Sequence, residues 1–217
     1  MLHFIYAKIS SKLFMKALVI YRTVLYDNGV ANEQYLTYKN KIKSSFVNTG
    51  KVVHMTVATS LFAPDAVYTS DKTSKEEVLK EVYGKLLKAG YVKGNFLSHI
   101  IEREEQYPTG IDTSPISKEL PNVAIPHTEG EFVNARLIVP IALKHPVKFQ
   151  NMIAPDETLE VKFLFMILNN DPEGQANVLA QIMGFLSTTP VKDLIRLFNL
   201  TSAKEIFDFM SENFKQE

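Results

Sequence analysis

Apolar positions set the first element. Val78, Leu79, Val82, Tyr83, Leu86 and Leu87 recur at steps of three and four, the spacing that aligns side chains on one face of a helix. Thr73 and Ser74 stand before Glu76 and Glu77 at the spacing of a capping box, where a hydroxyl and a carboxylate satisfy the free amides of a helix start. Gly90 supplies a left-handed stop. A second helical stripe follows, with Phe96, Leu97, Ile100 and Ile101 inward and Glu102 to Glu105 mostly outward. Tyr107-Pro108-Thr109-Gly110 ends it, because the residue before a proline avoids the helical basin.

The pattern then changes to strands. Asn122 to Ile125 is short and apolar, and Ala135 to Leu143 is longer, with Pro140 marking a sheet edge or an interruption. Val147-Lys148-Phe149 reads as a separate brief strand. Leu159 to Leu168 begins with alternation and becomes continuously apolar from Phe163, which suits a central strand covered on both faces. After a turn at Asn169-Asn170-Asp171-Pro172, three helices close the chain. The first runs from Ala176 to Leu186. The second is expected to be capped by Thr189 with Pro190 at its first position. The last starts at Ser202 with Glu205 and buries Ile206, Phe209, Met210 and Phe214. Helices on both sides of a set of strands predict an α/β sandwich, a sheet covered by helices. No internal repeat or low-complexity tract interrupts the pattern.

Composition narrows the classes. The 217 residues carry 24 basic and 24 acidic side chains, so no global charge draws the chain to nucleic acid. Cysteine is absent, which removes disulfides, thiolate ligands and cysteine nucleophiles and fits a reducing cytosol. The charge is unevenly placed: residues 1–54 hold eight Lys/Arg against Asp27 and Glu33, a net of +6, which leaves −6 for the rest. A basic arm can touch nucleic acid or anionic lipid, but the expectation is an ill-ordered N-terminal extension. A second reading puts the true start at Met55, since Gly50-Lys51-Val52-Val53 can be encoded by a run resembling a ribosome-binding site. The organisation is therefore read as an extension at 1–54 and one domain at 55–217. The stretch from Leu13 to Tyr26 is broken by Lys16 and Arg22 and falls short of the about 20 apolar residues of a membrane span. A cytoplasmic protein is expected.

Several familiar site patterns are missing: the phosphate-binding Gly-Lys-Ser/Thr loop, the paired-glycine dinucleotide fingerprint, the serine elbow and the His-Glu-x-x-His zinc helix. The segment Val123-Ala124-Ile125-Pro126-His127-Thr128-Glu129 stands out instead. A short strand runs into a proline, and the next side chain, His127, leaves the strand end, where α/β sheets commonly place reacting groups. Imidazole suits a phosphate relay, because the neutral ring is a nucleophile near physiological pH.

Three strings together are specific: Ile101-Glu102-Arg103-Glu104-Glu105, then Tyr107-Pro108-Thr109-Gly110-Ile111, then Val123-Ala124-Ile125-Pro126-His127. In order and spacing this resembles the enzyme IIA domains of the fructose–mannitol superfamily of the bacterial sugar phosphotransferase system (PTS), over roughly residues 58 to 215. The resemblance implies a mixed sheet covered by helices. It implies that His127 accepts a phosphoryl group from phosphorylated HPr, through Nε2 with the other nitrogen held by a backbone carbonyl, and donates it to a cysteine of an enzyme IIB, which in turn serves a membrane enzyme IIC. Arg103 matches the family arginine near the phosphohistidine; its planar fork suits phosphate oxygens, and the plainer reading is a helix-surface ion pair with a neighbouring glutamate. Pro108 to Gly110 are expected to shape the backbone of the site.

Fructose and mannitol members carry a second histidine after the central strand, where Gln175 stands here. Together with Val147-Lys148-Phe149-Gln150 this resembles the galactitol type. Gln175 is read as a neutral donor to phosphate at a helix start, or as a solvated turn residue. Thr128 either binds phosphate or caps a turn. His99 and His145 are read as surface residues. No cofactor, metal or nucleic-acid partner is expected. Two alternatives stay open: a regulatory, nitrogen-PTS-like phosphoacceptor that signals by binding partners, and a metal-dependent hydrolase built on His127, Glu129 and His145.

Overall fold

A computed structural model describes residues 60–171 and 175–214. The expectations for residues 1–54 lie outside the described residues. Five strands form one mixed sheet: β1 (Tyr68–Ser70), β2 (Gly110–Ile111), β3 (Asn122–Ala124), β4 (Arg136–Gln150) and β5 (Thr158–Asn169). Their order is β1-β4-β5-β3-β2. The β1–β4 and β3–β5 pairs are parallel, and the β4–β5 and β2–β3 pairs antiparallel.

Five α-helices flank the sheet among the described residues: α1 (Lys75–Lys88), α2 (Phe96–Gln106), α3 (Gln175–Thr188), α4 (Val191–Phe198) and α5 (Ala203–Asn213). The central strand explains the layering. On β5, Leu164, Met166 and Leu168 join the core with α1 and α2, while Phe163, Phe165 and Ile167 join the one with α3, α4 and α5. Each is fully or almost fully buried, and a buried side chain of this size contributes roughly 1.5–3 kcal/mol. The continuous apolar run is thus a strand with two covered faces, as expected.

The caps follow the same local chemistry. Ser74 accepts the Glu77 amide at 3.3 Å and donates to the Glu77 carboxylate at 3.0 Å. Gly90 has φ +80°, a conformation that costs glycine nothing.

Three expectations are corrected. Val147–Phe149 is not a separate strand but belongs with Pro140 to one strand of 15 residues, and of the two readings of Pro140 the sheet edge holds and the interruption does not. Ile138, of the same parity as Pro140, points its N–H away from β5 to Leu61 O, and β1 pairs only from Ile141 onward. Pro140 therefore lacks its N–H where no ladder partner exists. The break between Ala142 and Val147 is a register slip within the strand, not an end. At the other helix junction, Pro190 is the N-cap of α4 instead of its first residue, because its ψ of 136° is not helical while its carbonyl accepts the first amides of the helix, from Asp193 and Leu194. Finally, Glu104 does not face outward: it is 2% exposed.

Candidate functional site

Backbone bonds place His127. The Ile125 amide donates to Thr109 O at 3.1 Å and the Ile167 amide donates to Pro126 O at 3.0 Å. The chain thereby stays in register with β2 on one side and β5 on the other, up to a bridge between His127 and Ile167. Pro126 has no N–H, and this path asks none of it. The ring follows at the end of β3 and folds back so that Nδ1 lies 2.8 Å from Ile125 O. A carbonyl only accepts, so Nδ1 carries the proton and Nε2 keeps its lone pair. The side chain is 5% exposed. Burial lowers its pKa to about 4; the Ile125 bond and the Glu129 charge oppose this, and the Arg103 charge adds to it. The ring is neutral at physiological pH.

Arg103 reaches the site from the last turn of α2. Its guanidinium lies over the Tyr107 ring, 4.2 Å from the centroid, and Nε is 4.0 Å from Glu129 Oε1. The acidic partner is thus across the site, not a neighbour on the helix. The Thr128 hydroxyl is buried and donates to Glu129 Oε2 at 2.6 Å. Burial raises the Glu129 carboxyl, but the Thr128 hydroxyl, its own backbone amide and the charges of Arg103 and His99 outweigh this, so it stays below its ordinary value. The structure therefore gathers a neutral imidazole, a guanidinium and a carboxylate at one strand end. Such a set can hold a nucleophile ready and balance the charge of an anion.

Gly110 shapes the backbone here. A Cβ at this position would lie 2.5 Å from Gln150 O, and Met152 N donates to Gly110 O at 2.8 Å. Only a residue without a side chain lets β2 approach the end of β4. Gln175 opens α3, and its side chain lies outside the described residues. His145 sits in the slipped segment of β4 near Lys162, about five residues along β5 from Ile167, or roughly 17 Å at about 3.3 Å per residue. The structure does not bring it to His127. Among the described residues no group of three His, Asp or Glu side chains is placed to hold a metal ion, and no helix is long and apolar enough to cross a membrane. His99 is partly covered by stacking on Phe132, with centroids 3.7 Å apart.

Reading the sequence alone missed Glu104, which accepts the Thr109 amide at 3.0 Å and its hydroxyl at 2.6 Å. The signal was present: Phe96, Ile100 and Glu104 lie four residues apart on one stripe. The pairing of Glu129 with Arg103 was also missed, since it spans two elements that no local spacing connects.

The chain belongs to the EIIA 2 family of the phosphoenolpyruvate-dependent sugar phosphotransferase system, whose profile matches residues 60–213. It is an EIIA phosphocarrier component of that system. Over 149 residues it is 26% identical to the galactitol-specific EIIA component of Escherichia coli K12, covering 69% of this chain and 93% of that protein. Its fold is similar to that of Escherichia coli mannitol IIA in a complex with phosphorylated mannitol IIB, with a TM-score of 0.53 at 19% identity over 70% of this chain and 97% of that one. It is also similar to the nitrogen regulatory protein IIA-Ntr of Neisseria meningitidis, with a TM-score of 0.51 at 20% identity over 69% of this chain and 96% of that one.

Proposed function

We propose that His127 is the phosphoryl acceptor, and that the chain takes the group from phosphorylated HPr and passes it to a cysteine of an enzyme IIB for uptake of a galactitol-type sugar. The observation that carries this is the Nδ1–Ile125 O bond on a buried, neutral ring, which turns the Nε2 lone pair outward from the tether. In the first step Nε2 attacks phosphorus, and the P–N bond of the donor histidine breaks with its electron pair returning to that ring. In the second, a cysteine thiolate of enzyme IIB attacks phosphorus, and the P–N bond on His127 breaks. Arg103 balances the charge spread over the transferring oxygens. Gln175 and Thr128 are secondary phosphoryl contacts, the former as a neutral donor and the latter once its hydroxyl leaves Glu129.

The sugar class rests on the likeness to the galactitol-specific component and on glutamine in place of a second histidine. The carrier domain is taken as 55–217, with 1–54 as an extension, in the cytoplasm and without a cofactor. The regulatory alternative shares its fold with IIA-Ntr and uses the same residues. The test is reconstitution with labelled phosphoenolpyruvate, enzyme I and HPr, followed by a galactitol-type or a mannitol-type enzyme IIB. The chain is expected to be labelled, His127→Ala is not, and the label moves to the galactitol-type partner faster. Labelling without transfer to any enzyme IIB would favour regulation; normal labelling of His127→Ala would overturn the assignment.

A further inference from the structure

Glu104 is a buried carboxyl with no use in the transfer chemistry as written. Phe96 and Ile100 precede it on the same buried stripe, so an apolar side chain would simply continue the core. A carboxyl there costs stability: burial pushes it up to about 7, against the pull of its two bonds to Thr109 and of the charges of Lys75 and Arg103.

Its bonds lead to the site. Glu104 accepts both the amide and the hydroxyl of Thr109. Thr109 O accepts the Ile125 amide at 3.1 Å, and Ile125 O accepts from His127 Nδ1 at 2.8 Å. The run is continuous from the carboxyl on α2 to the imidazole. The same carboxyl is the direct neighbour of Arg103 in the chain, so the arginine and the histidine are referred to one fixed point. We propose that Glu104 and Thr109 are a positioning pair that holds the Ile125 carbonyl, and through it the orientation and tautomer of the His127 ring. What the ring then does rests on the phosphocarrier reading; that the ring is held in this way does not.

The mechanism is geometric. In-line transfer tolerates little displacement of the attacking atom, and a misplacement of about 1 Å costs on the order of a hundredfold. The turn that carries Thr109 contains Pro108, which offers no amide, so the two bonds to Glu104 are what ties Thr109 to α2.

The experiment uses the full chain, with nitrogen and proton NMR of the histidine ring and the rate of labelling by phosphorylated HPr. In the unaltered chain the His127 ring is expected as a single Nδ1–H tautomer with a slowly exchanging proton. Thr109→Val, which keeps shape and removes the hydroxyl, is expected to mix the tautomers, speed Nδ1–H exchange roughly tenfold and slow labelling roughly tenfold. Thr109→Ser is expected to restore all three. Glu104→Gln is expected to stay near the unaltered chain, since its oxygen still accepts the amide and its NH2 can donate to the hydroxyl; Glu104→Ala is expected to fail. If Glu104→Ala does not fold, Thr109→Val decides. A folded Thr109→Val with an unchanged ring signal, exchange rate and tautomer overturns the proposal, even if it melts earlier. If the unaltered chain is not labelled, the phosphocarrier reading fails and the ring measurements still judge this one.

Discussion

Arg103 and Glu129 face each other across the site with 4.0 Å between Nε and Oε1, and the guanidinium rests on the Tyr107 ring. The arginine is therefore shared between a carboxylate and whatever anion occupies His127. A phosphoryl group would compete with Glu129 for it and be repelled by the carboxylate. Glu129→Gln is expected to lengthen the life of the phosphohistidine and slow onward transfer by roughly threefold, the scale of a loose 4.0 Å contact whose carboxylate is half-exposed. Decay of the labelled protein checks this; a shortened lifetime contradicts it.

Arg103→Ala is expected to slow phosphoryl acceptance by roughly ten- to a hundredfold, because a bidentate guanidinium stabilises charge that the transferring group develops. Arg103→Lys recovers part of the loss, as a point charge without the fork. The fold is expected to survive the change, so the fall in acceptance should be far larger than any shift in the urea midpoint, and Arg103→Lys, which keeps most of the packing over Tyr107, separates the two effects.

Burial holds His127 near a pKa of about 4. Nucleophile availability is expected to be flat from about pH 5 to 8, and NMR titration should find no break at the ordinary histidine value. A ring that protonates near 6.5 would contradict the burial argument.

The two buried groups pull stability in opposite directions. The folded pKa of His127 is depressed, so its contribution is present above about 6.5 and is lost as pH falls toward about 4. The folded pKa of Glu104 is raised to about 7, so its contribution is present below its unfolded value and is lost as pH rises through about 7. Compared with Glu104→Gln, the unaltered chain is expected to lose about 2 kcal/mol between pH 5 and 8. Compared with His127→Gln, it should lose about 2 kcal/mol from pH 7.5 to 5. Urea midpoints at the three pH values check both signs.

Gly110→Ala places a methyl 2.5 Å from Gln150 O, a backbone atom that cannot rotate away. A loss of about 1–3 kcal/mol is expected, read as a lower urea midpoint, with slower phosphoryl acceptance because β2 supports the Thr109–Ile125 bond.

Local patterns carried most of the fold. The capping residues at Ser74, the stop at Gly90 and the two-faced run from Phe163 to Leu168 each depend on neighbours in sequence, and each was legible. His127 was legible as a residue leaving a strand at Pro126, and Arg103 only through the resemblance of the three motifs to the enzyme IIA family. What escaped was set by distant partners. Pro140 reads equally as an edge or an interruption until β1 is seen to begin pairing one residue later. Glu104 looks like one solvated acid among three until Thr109 folds back onto it. Glu129 shows its role only when the loop after His127 meets α2.

The central claim is that Nε2 of His127 carries the phosphoryl group. Phosphorus–nitrogen coupled NMR on the chain, incubated with phosphoenolpyruvate, enzyme I and HPr, reads the bonded atom directly. A phosphorus signal coupled to Nε2 of His127, with Nδ1 still protonated against Ile125, is the expected result; phosphorus on another residue, or none at all, contradicts it.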